Sequence, residues 1–254
     1  MTLYKNADDL VQKYGERSAN GEHKLGMERE RGYVEIFDDF VYSGTFEVSS
    51  PWVLNSDSTS DPAVSAAVGG RLAMATSTTS ENASHFAGLA PTTAANGGLV
   101  FEAKLHLAAI TTIAVTAGFT DVSSEEEAFS VSGTTVTSTA TDAVAFCFDT
   151  DMTTPEWWCL AVDTDVEATG NGPAYSGALT ANRVPVAATD QILRIEVDKD
   201  GVGAKFFING QKVGETTANT VTAATSIYPF INCVTRTGSA ATVNVDYIYV
   251  GYNR

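Results

Sequence analysis

The residue spacing with the most chemical content is Asp163-Thr164-Asp165-Val166-Glu167. On an extended strand, positions i, i+2 and i+4 project to one side, so this run would present three carboxylates to a groove. Two carboxyls about 5–5.5 Å apart can serve as nucleophile and acid in retaining glycoside hydrolysis. The following residues, 168–177, are rich in Gly, Asn, Ala and Ser and read as a loop. The expectation is therefore a solvated strand end, with no catalytic residues assigned and no enzymatic activity.

Other candidates are weaker. Asp149 with Asp151, and Asp198 with Asp200, are acidic pairs that could contribute to a Ca²⁺ site, but Ca²⁺ takes about six to eight oxygens at roughly 2.3–2.6 Å. Neither pair sits in an EF-hand or other defined loop, and Asp is a common turn former, so no cofactor is expected. His23, His85 and His106 have no Ser, Cys or Asp at a spacing that suggests a triad or a metal ligand set, and they read as ordinary surface or groove residues. Phosphate-cradling glycine motifs are absent from the sequence.

Trp157 and Trp158 are adjacent, hence on opposite sides of a strand. One is expected in the core and the other on the exposed sheet face, where it could stack on a sugar or anchor a protein contact. Tyr247 and Tyr249 share one face of a later strand, either lining that surface or packing in the core. Cys147, Cys159 and Cys233 read as buried free thiols, which fits folding in a reducing cytosol, although Cys147 and Cys159 could also face each other across a hairpin.

Composition narrows the partners. A net charge of −16 and a pI near 4.4 repel phosphate backbones, so no nucleic-acid partner is expected. No stretch approaches the ~20 apolar residues of a membrane span, and the N-terminus lacks the apolar run of a signal peptide, so no membrane association is expected either. Neutral glycans, cations and complementary protein surfaces remain compatible.

The elements that would position these residues divide the chain in two. Residues 1–32 hold six basic and six acidic residues, so residues 33–254 carry the whole of the −16. Asn6 can cap a short helix with Asp8 and Asp9 in its first turn and Gly15 at its end. Leu10, Val11 and Tyr14 form its apolar stripe and are the expected partner-binding residues of this arm. Such a short helix is marginal alone and should need something to pack against.

From Tyr33 the pattern alternates with period two. In LVFEAKLHL (99–107), Leu99, Phe101, Ala103, Leu105 and Leu107 lie on one face, and Glu102, Lys104 and His106 on the other. Further strands are expected at 33–37, 112–119, 143–149, 156–163, 192–198, 204–210, 226–234 and 242–250. Asp198 to Ala204 and Asn209-Gly210 each mark a hairpin turn. The Ser/Thr-rich segments 55–66, 76–84 and 132–142 read as loops or edge strands. Many short strands make an all-β antiparallel sandwich, with domains at 1–32 and 33–254.

The hairpin LRIEVDKDGVGAKFFINGQKVG (193–214) and the final strand VNVDYIYV (243–250) resemble the concanavalin A-like (laminin-G-like) jelly roll. With FDDF (37–40), Gly44, Trp52 and GGLVFEAKLHL (97–107), residues 33–254 look like the lectin-like proteins of tailed-bacteriophage virions, of capsid decoration or fibre type. Glycosidases of this fold carry a carboxylate trio whose first Glu would fall at Asp163, one methylene short. The resemblance implies a non-enzymatic virion structural protein, made in the host cytoplasm and placed on the capsid surface as a decoration or cement subunit. Its implied partners are the major capsid protein and neighbouring copies of itself, in a homo-oligomer that could be a trimer. The alternative expectation is a carbohydrate-binding lectin-like module using Trp157 or Trp158, and a glycoside hydrolase ranks last.

Overall fold

The computed structural model describes residues 33–41, 52–54, 62–65, 70–79, 83–88, 94–96, 98–122, 127–167 and 183–253. The expected arm helix, with Leu10, Val11 and Tyr14, lies outside the described residues, as do His23 and residues 168–177.

The described strands, in chain order, begin with β1 (Tyr33–Asp38), β2 (Trp52–Leu54), β3 (Ala63–Ser65), β4 (Arg71–Ala75), β5 (Ala83–Gly88) and β6 (Leu99–Leu107). Next come β7 (Ile113–Thr120), β8 (Phe129–Ser132), β9 (Thr135–Ser138), β10 (Asp142–Asp149), β11 (Trp158–Asp163) and β12 (Val166–Glu167). The last are β13 (Asp190–Val197), β14 (Ala204–Ile208), β15 (Gln211–Thr216), β16 (Tyr228–Thr235) and β17 (Thr242–Asn253).

They form two large sheets. The first runs β15-β14-β13-β6-β17-β4-β3, with β1 also pairing with β17; the second runs β12-β11-β10-β7-β16-β5-β2. The pairings within both sheets are antiparallel. That explains the alternating burial along β6 and β13, since one face of each strand meets the core and the other meets water.

The inner faces meet in one core. From the first sheet come Phe101, Leu105, Ile195, Phe206, Val245 and Ile248, and from the second Val115, Phe119, Phe146, Phe148 and Cys159. Phe101 meets Phe119 edge-on at 5.9 Å, and Phe146 meets Phe206 at 5.2 Å, so aromatic pairs cross the interlayer at two points. Each such fully buried side chain contributes about 1.5–3 kcal/mol of hydrophobic stabilisation.

Local chemistry sets the turns. Asn209 and Gly210 have φ of 51° and 78°, the positive values a type I′ turn requires, and they join β14 to β15. The Asn209 side chain also accepts the Ile192 N–H at 2.9 Å, tying the turn to β13. At Gly214 the backbone passes so close to the core that an added Cβ would lie 2.5 Å from the Cys159 sulfur.

The hairpin of β8 and β9 stands apart as a two-stranded sheet on the outside of the second large sheet. Phe129, Val131, Ala128 and Ala140 from this hairpin and its flanks form a separate apolar cluster with Ala143, Ala145, Cys147, Trp158, Leu160 and Phe230. The second sheet is thereby buried on both faces over β7 and β10. Segment 132–142, expected as loop or edge strand, is for the most part this covering hairpin.

Candidate functional site

The expected aromatic site is not open. Trp157 is wholly buried, with its ring N–H donating to Gln191 Oε1 at 2.9 Å, and Trp158 is 3% exposed beneath the β8–β9 hairpin. Opposite projection places one in the sandwich core and the other in the outer cluster, so neither presents a face to a ligand. The exposed sheet face expected for one of the pair is covered by the hairpin, which overturns that expectation for Trp158.

The carboxylate trio is also not a trio. Asp163 pairs with Val166 and Val162 with Glu167, so Thr164 and Asp165 are the two central residues of a tight turn, with φ of 52° and 62°. Directly opposed residues share a face, so Asp163 lies on the face of Val166, and Asp165 sits in the turn itself. Asp163 instead accepts the hydroxyls of Thr164 at 3.0 Å and Thr222 at 2.6 Å.

One member of each acidic pair, Asp149 and Asp200, has a structural task. Asp149 is fully buried and accepts from Arg236, from the Val131 N–H and from the Asp151 N–H. Arg236 also donates to Glu127 at 2.7 Å. Burial pulls the Arg236 pKa down, but the hydrogen bonds and charges of Asp149 and Glu127 outweigh it, so the guanidinium is held charged. Asp200 accepts the Val202 N–H in the β13–β14 turn, and with Asp198, Lys205, Glu215 and Thr217 it borders a cavity of about 290 Å³. Among the described residues, no three His, Cys, Asp or Glu side chains are grouped to hold a metal ion.

The cysteines are free and buried. Phe146 is the residue opposite Cys159, and Cys147 is opposite Trp158, so the two thiols project from opposite faces of the second sheet. Cys147 belongs to the outer cluster and Cys159 to the core, which removes the option of a bridge. Burial pushes all three thiols up, Cys233 to about 12.

The outer face of the first sheet carries the open polar surface. On β6, Lys104 donates to Asp246 at 2.7 Å and lies 3.1 Å from Asp190, while His106 Nδ1 is 2.9 Å from Asp190. Arg71 on β4 reaches the same two aspartates at 3.3 and 3.5 Å. Burial pushes the Asp190 pKa up, but hydrogen bonds from Lys104 and His106 and the Arg71 charge outweigh it and hold the carboxyl below its usual range. The Asp246 hydrogen bond, with that of Asp190, raises Lys104.

Along the same face, Arg194 bridges Glu102 at 3.2 Å and Glu196 at 2.8 Å. The Tyr247 hydroxyl donates to Glu102 at 2.8 Å, and Tyr249 donates to Glu35 at 2.9 Å. Phe37, 45% exposed, rests against Tyr247 with ring centres 5.7 Å apart. Neither tyrosine joins the core; both stand half-buried on this surface. A bulge between Val245 and Tyr247 lets the consecutive Asp246 and Tyr247 both serve it while Val245 and Ile248 stay inside.

This surface holds fixed aromatic rings beside hydrogen-bonded carboxylates, and Arg71, Lys104 and Arg194 are already engaged by carboxylates. No protein-family model and no curated protein matches the sequence. Solved structures do match in shape. The potassium-bound carbohydrate recognition domain of Emp46p is 8% identical with a TM-score of 0.55, over 84% of this chain and 93% of that one. The Bacillus licheniformis β-glucanase is 14% identical with a TM-score of 0.54, over 87% and 98%. The κ-carrageenase of Pseudoalteromonas carrageenovora, solved with an oligotetrasaccharide of κ-carrageenan, is 10% identical with a TM-score of 0.51, over 87% and 96%.

The fold is a concanavalin A-like jelly roll. At these identities the likeness extends to the fold alone, and the jelly roll's chemistry has to be argued from its own side chains. The signal for the open face was present in the sequence: Glu102, Lys104 and His106 alternate outward on β6, and the apolar spacing Val243, Val245, Ile248, Val250 breaks period two where the bulge falls.

Proposed function

We propose that this jelly roll is a non-catalytic carbohydrate-binding module and that the outer face of the β13-β6-β17-β1 region is its binding surface. The observation that carries the reading is the row Phe37, Tyr247 and Tyr249, half-buried or exposed and braced by Glu102 and Glu35. Aromatic rings standing on a polar sheet offer the apolar faces of sugar rings a surface, and neighbouring carboxylates accept their hydroxyls. The fold neighbours, a carbohydrate recognition domain, a β-glucanase and a κ-carrageenase among them, support the same class of ligand. A hydrolytic reading has no support from Asp163, Asp165 and Glu167, which the turn at Thr164 separates.

The test is a glycan array with the whole chain, followed by calorimetry on any hit with wild type and Tyr247→Ala. Binding that the substitution weakens supports the reading, and an array with no hits defeats it. Placement of the module on a capsid surface rests on the sequence resemblance and on the separate charge balance of residues 1–32. Cosedimentation with capsids that lack this protein tests it, since a cement subunit must stay bound after washing.

A further inference from the structure

The charges of the open face restrict what can bind there. Across β13, β6, β17, β4 and β1, the strands that carry and surround the aromatic rings, its side chains include five carboxylates, Glu35, Glu102, Asp190, Glu196 and Asp246, against three permanent cations, Arg71, Lys104 and Arg194; Lys205, opposite Glu196 on β14, lies on the far side of β13 from those rings. Each of these cations is engaged by two of the carboxylates: Arg71 and Lys104 by Asp190 and Asp246, and Arg194 by Glu102 and Glu196. These groups are a quarter to two-fifths exposed, so a ligand would meet them directly.

A ligand carboxylate or sulfate arriving here would have to displace an existing carboxylate from a cation, and would meet the surplus negative charge within a Debye length of about 8 Å. The net charge of −16 adds repulsion at longer range. An uncharged sugar meets neither obstacle. Its hydroxyls donate to carboxylate oxygens, and its apolar ring faces lie against Tyr247, Tyr249 and Phe37.

We infer that Asp190 and Asp246 set the ligand class: by neutralising Arg71 and Lys104 they make this face a site for uncharged oligosaccharides that rejects uronate and sulfated ones. The inference rests on the carbohydrate-binding reading and adds to it the identity of the selecting residues. Ligands that differ only in charged substituents are discriminated here by repulsion rather than by fit.

The experiment measures binding of the full chain to matched neutral, uronate and sulfated oligosaccharides at physiological salt, with circular dichroism to confirm folding. The same set is repeated with Asp190→Asn/Asp246→Asn. The expected result is wild-type binding to neutral glycans at least tenfold tighter than to the charged ones, and a gain of tenfold or more for the sulfated ligand in the variant. Equal or tighter wild-type binding to charged glycans overturns the selection while leaving carbohydrate binding in place. A folded double variant that gains nothing for the sulfated ligand overturns the role of the two aspartates; should it not fold, Asp246→Asn alone takes its place with the same two outcomes. Binding to no glycan of any class removes the carbohydrate-binding reading itself, and the inference with it.

Discussion

Arg236 closes on Asp149 through two guanidinium nitrogens, its Nε lying 3.0 Å from one carboxylate oxygen, while the other carboxylate oxygen receives the backbone N–H of Val131 at 3.4 Å. One buried pair thus ties the end of β16 to the end of β10 and to the covering hairpin at β8. Removing the cation would strand a carboxylate that has no access to water. Arg236→Met is expected to cost about 3–5 kcal/mol, the usual penalty for orphaning a buried charge, and Arg236→Met/Asp149→Asn less. Guanidinium unfolding of the three proteins checks this; a single variant as stable as wild type would show that the pair does not hold the hairpin.

The covering hairpin has its own anchor. Phe129 is wholly buried between β8 and the outside of the second sheet. Phe129→Ala should cost about 3–5 kcal/mol through lost burial and the cavity left behind. Trp158 lies in the same cluster, so its fluorescence should shift to the red in the variant before global unfolding. A stability loss without that spectral change would place the damage elsewhere.

The binding surface should respond differently. Tyr247 is half-buried and its hydroxyl meets Glu102 at the surface, so Tyr247→Ala is expected to leave the melting temperature within a few degrees of wild type. Glycan affinity should fall about tenfold or more, which corresponds to about 1.4 kcal/mol. Titration calorimetry separates the two effects.

The Asp190 cluster gives a pH dependence with a definite sign. Its native pKa lies below the unfolded value, ordinarily about 3.9, because the folded protein holds the ionised form better. The stabilisation it brings is therefore complete at neutral pH and is lost as pH falls below about 4 through the depressed native value. Asp190→Asn should lower stability at neutral pH, where the contribution is fully present, converge on wild type in strong acid, and so flatten the acid limb between the two. Thermal melts from strongly acidic to neutral pH, at moderate salt, read this directly.

The three thiols should be silent in the native state. All are buried, and burial raises their pKa values, so little thiolate is available to react. An aromatic disulfide reagent should label none of them in buffer and all of them in guanidinium. Fast labelling in buffer would indicate local opening.

Where side chains alternate strictly, the sequence was enough: Leu99 to Leu107 became β6 with the same limits, and Asn209-Gly210 made the expected hairpin. The turn at Thr164 and Asp165 was hidden because neither residue is the glycine that usually announces positive φ. One of Trp157 and Trp158 was expected on an open face because what covers Trp158, the β8–β9 hairpin, comes from a Ser/Thr-rich stretch with few apolar anchors, Phe129, Val131 and Val136. Strands β2 to β5 are short and, in places, built of small residues, so local pattern alone did not mark them. The polar face was legible residue by residue; its pairing was not, since Arg71, Lys104, Asp190 and Asp246 meet only across four strands far apart in the chain.

The twelve residues of β17 touch β6 along one edge and β4 and β1 along the other, so a strand made late is the one that joins early strands to the middle of their sheet. During synthesis β1 and β4 must wait for it with unpaired edges, for much of the growth of the chain. Pairings this distant in sequence close slowly and leave sticky intermediates. Expression yield in this molecule should therefore be governed by how long the ribosome and its chaperones shield those waiting strands.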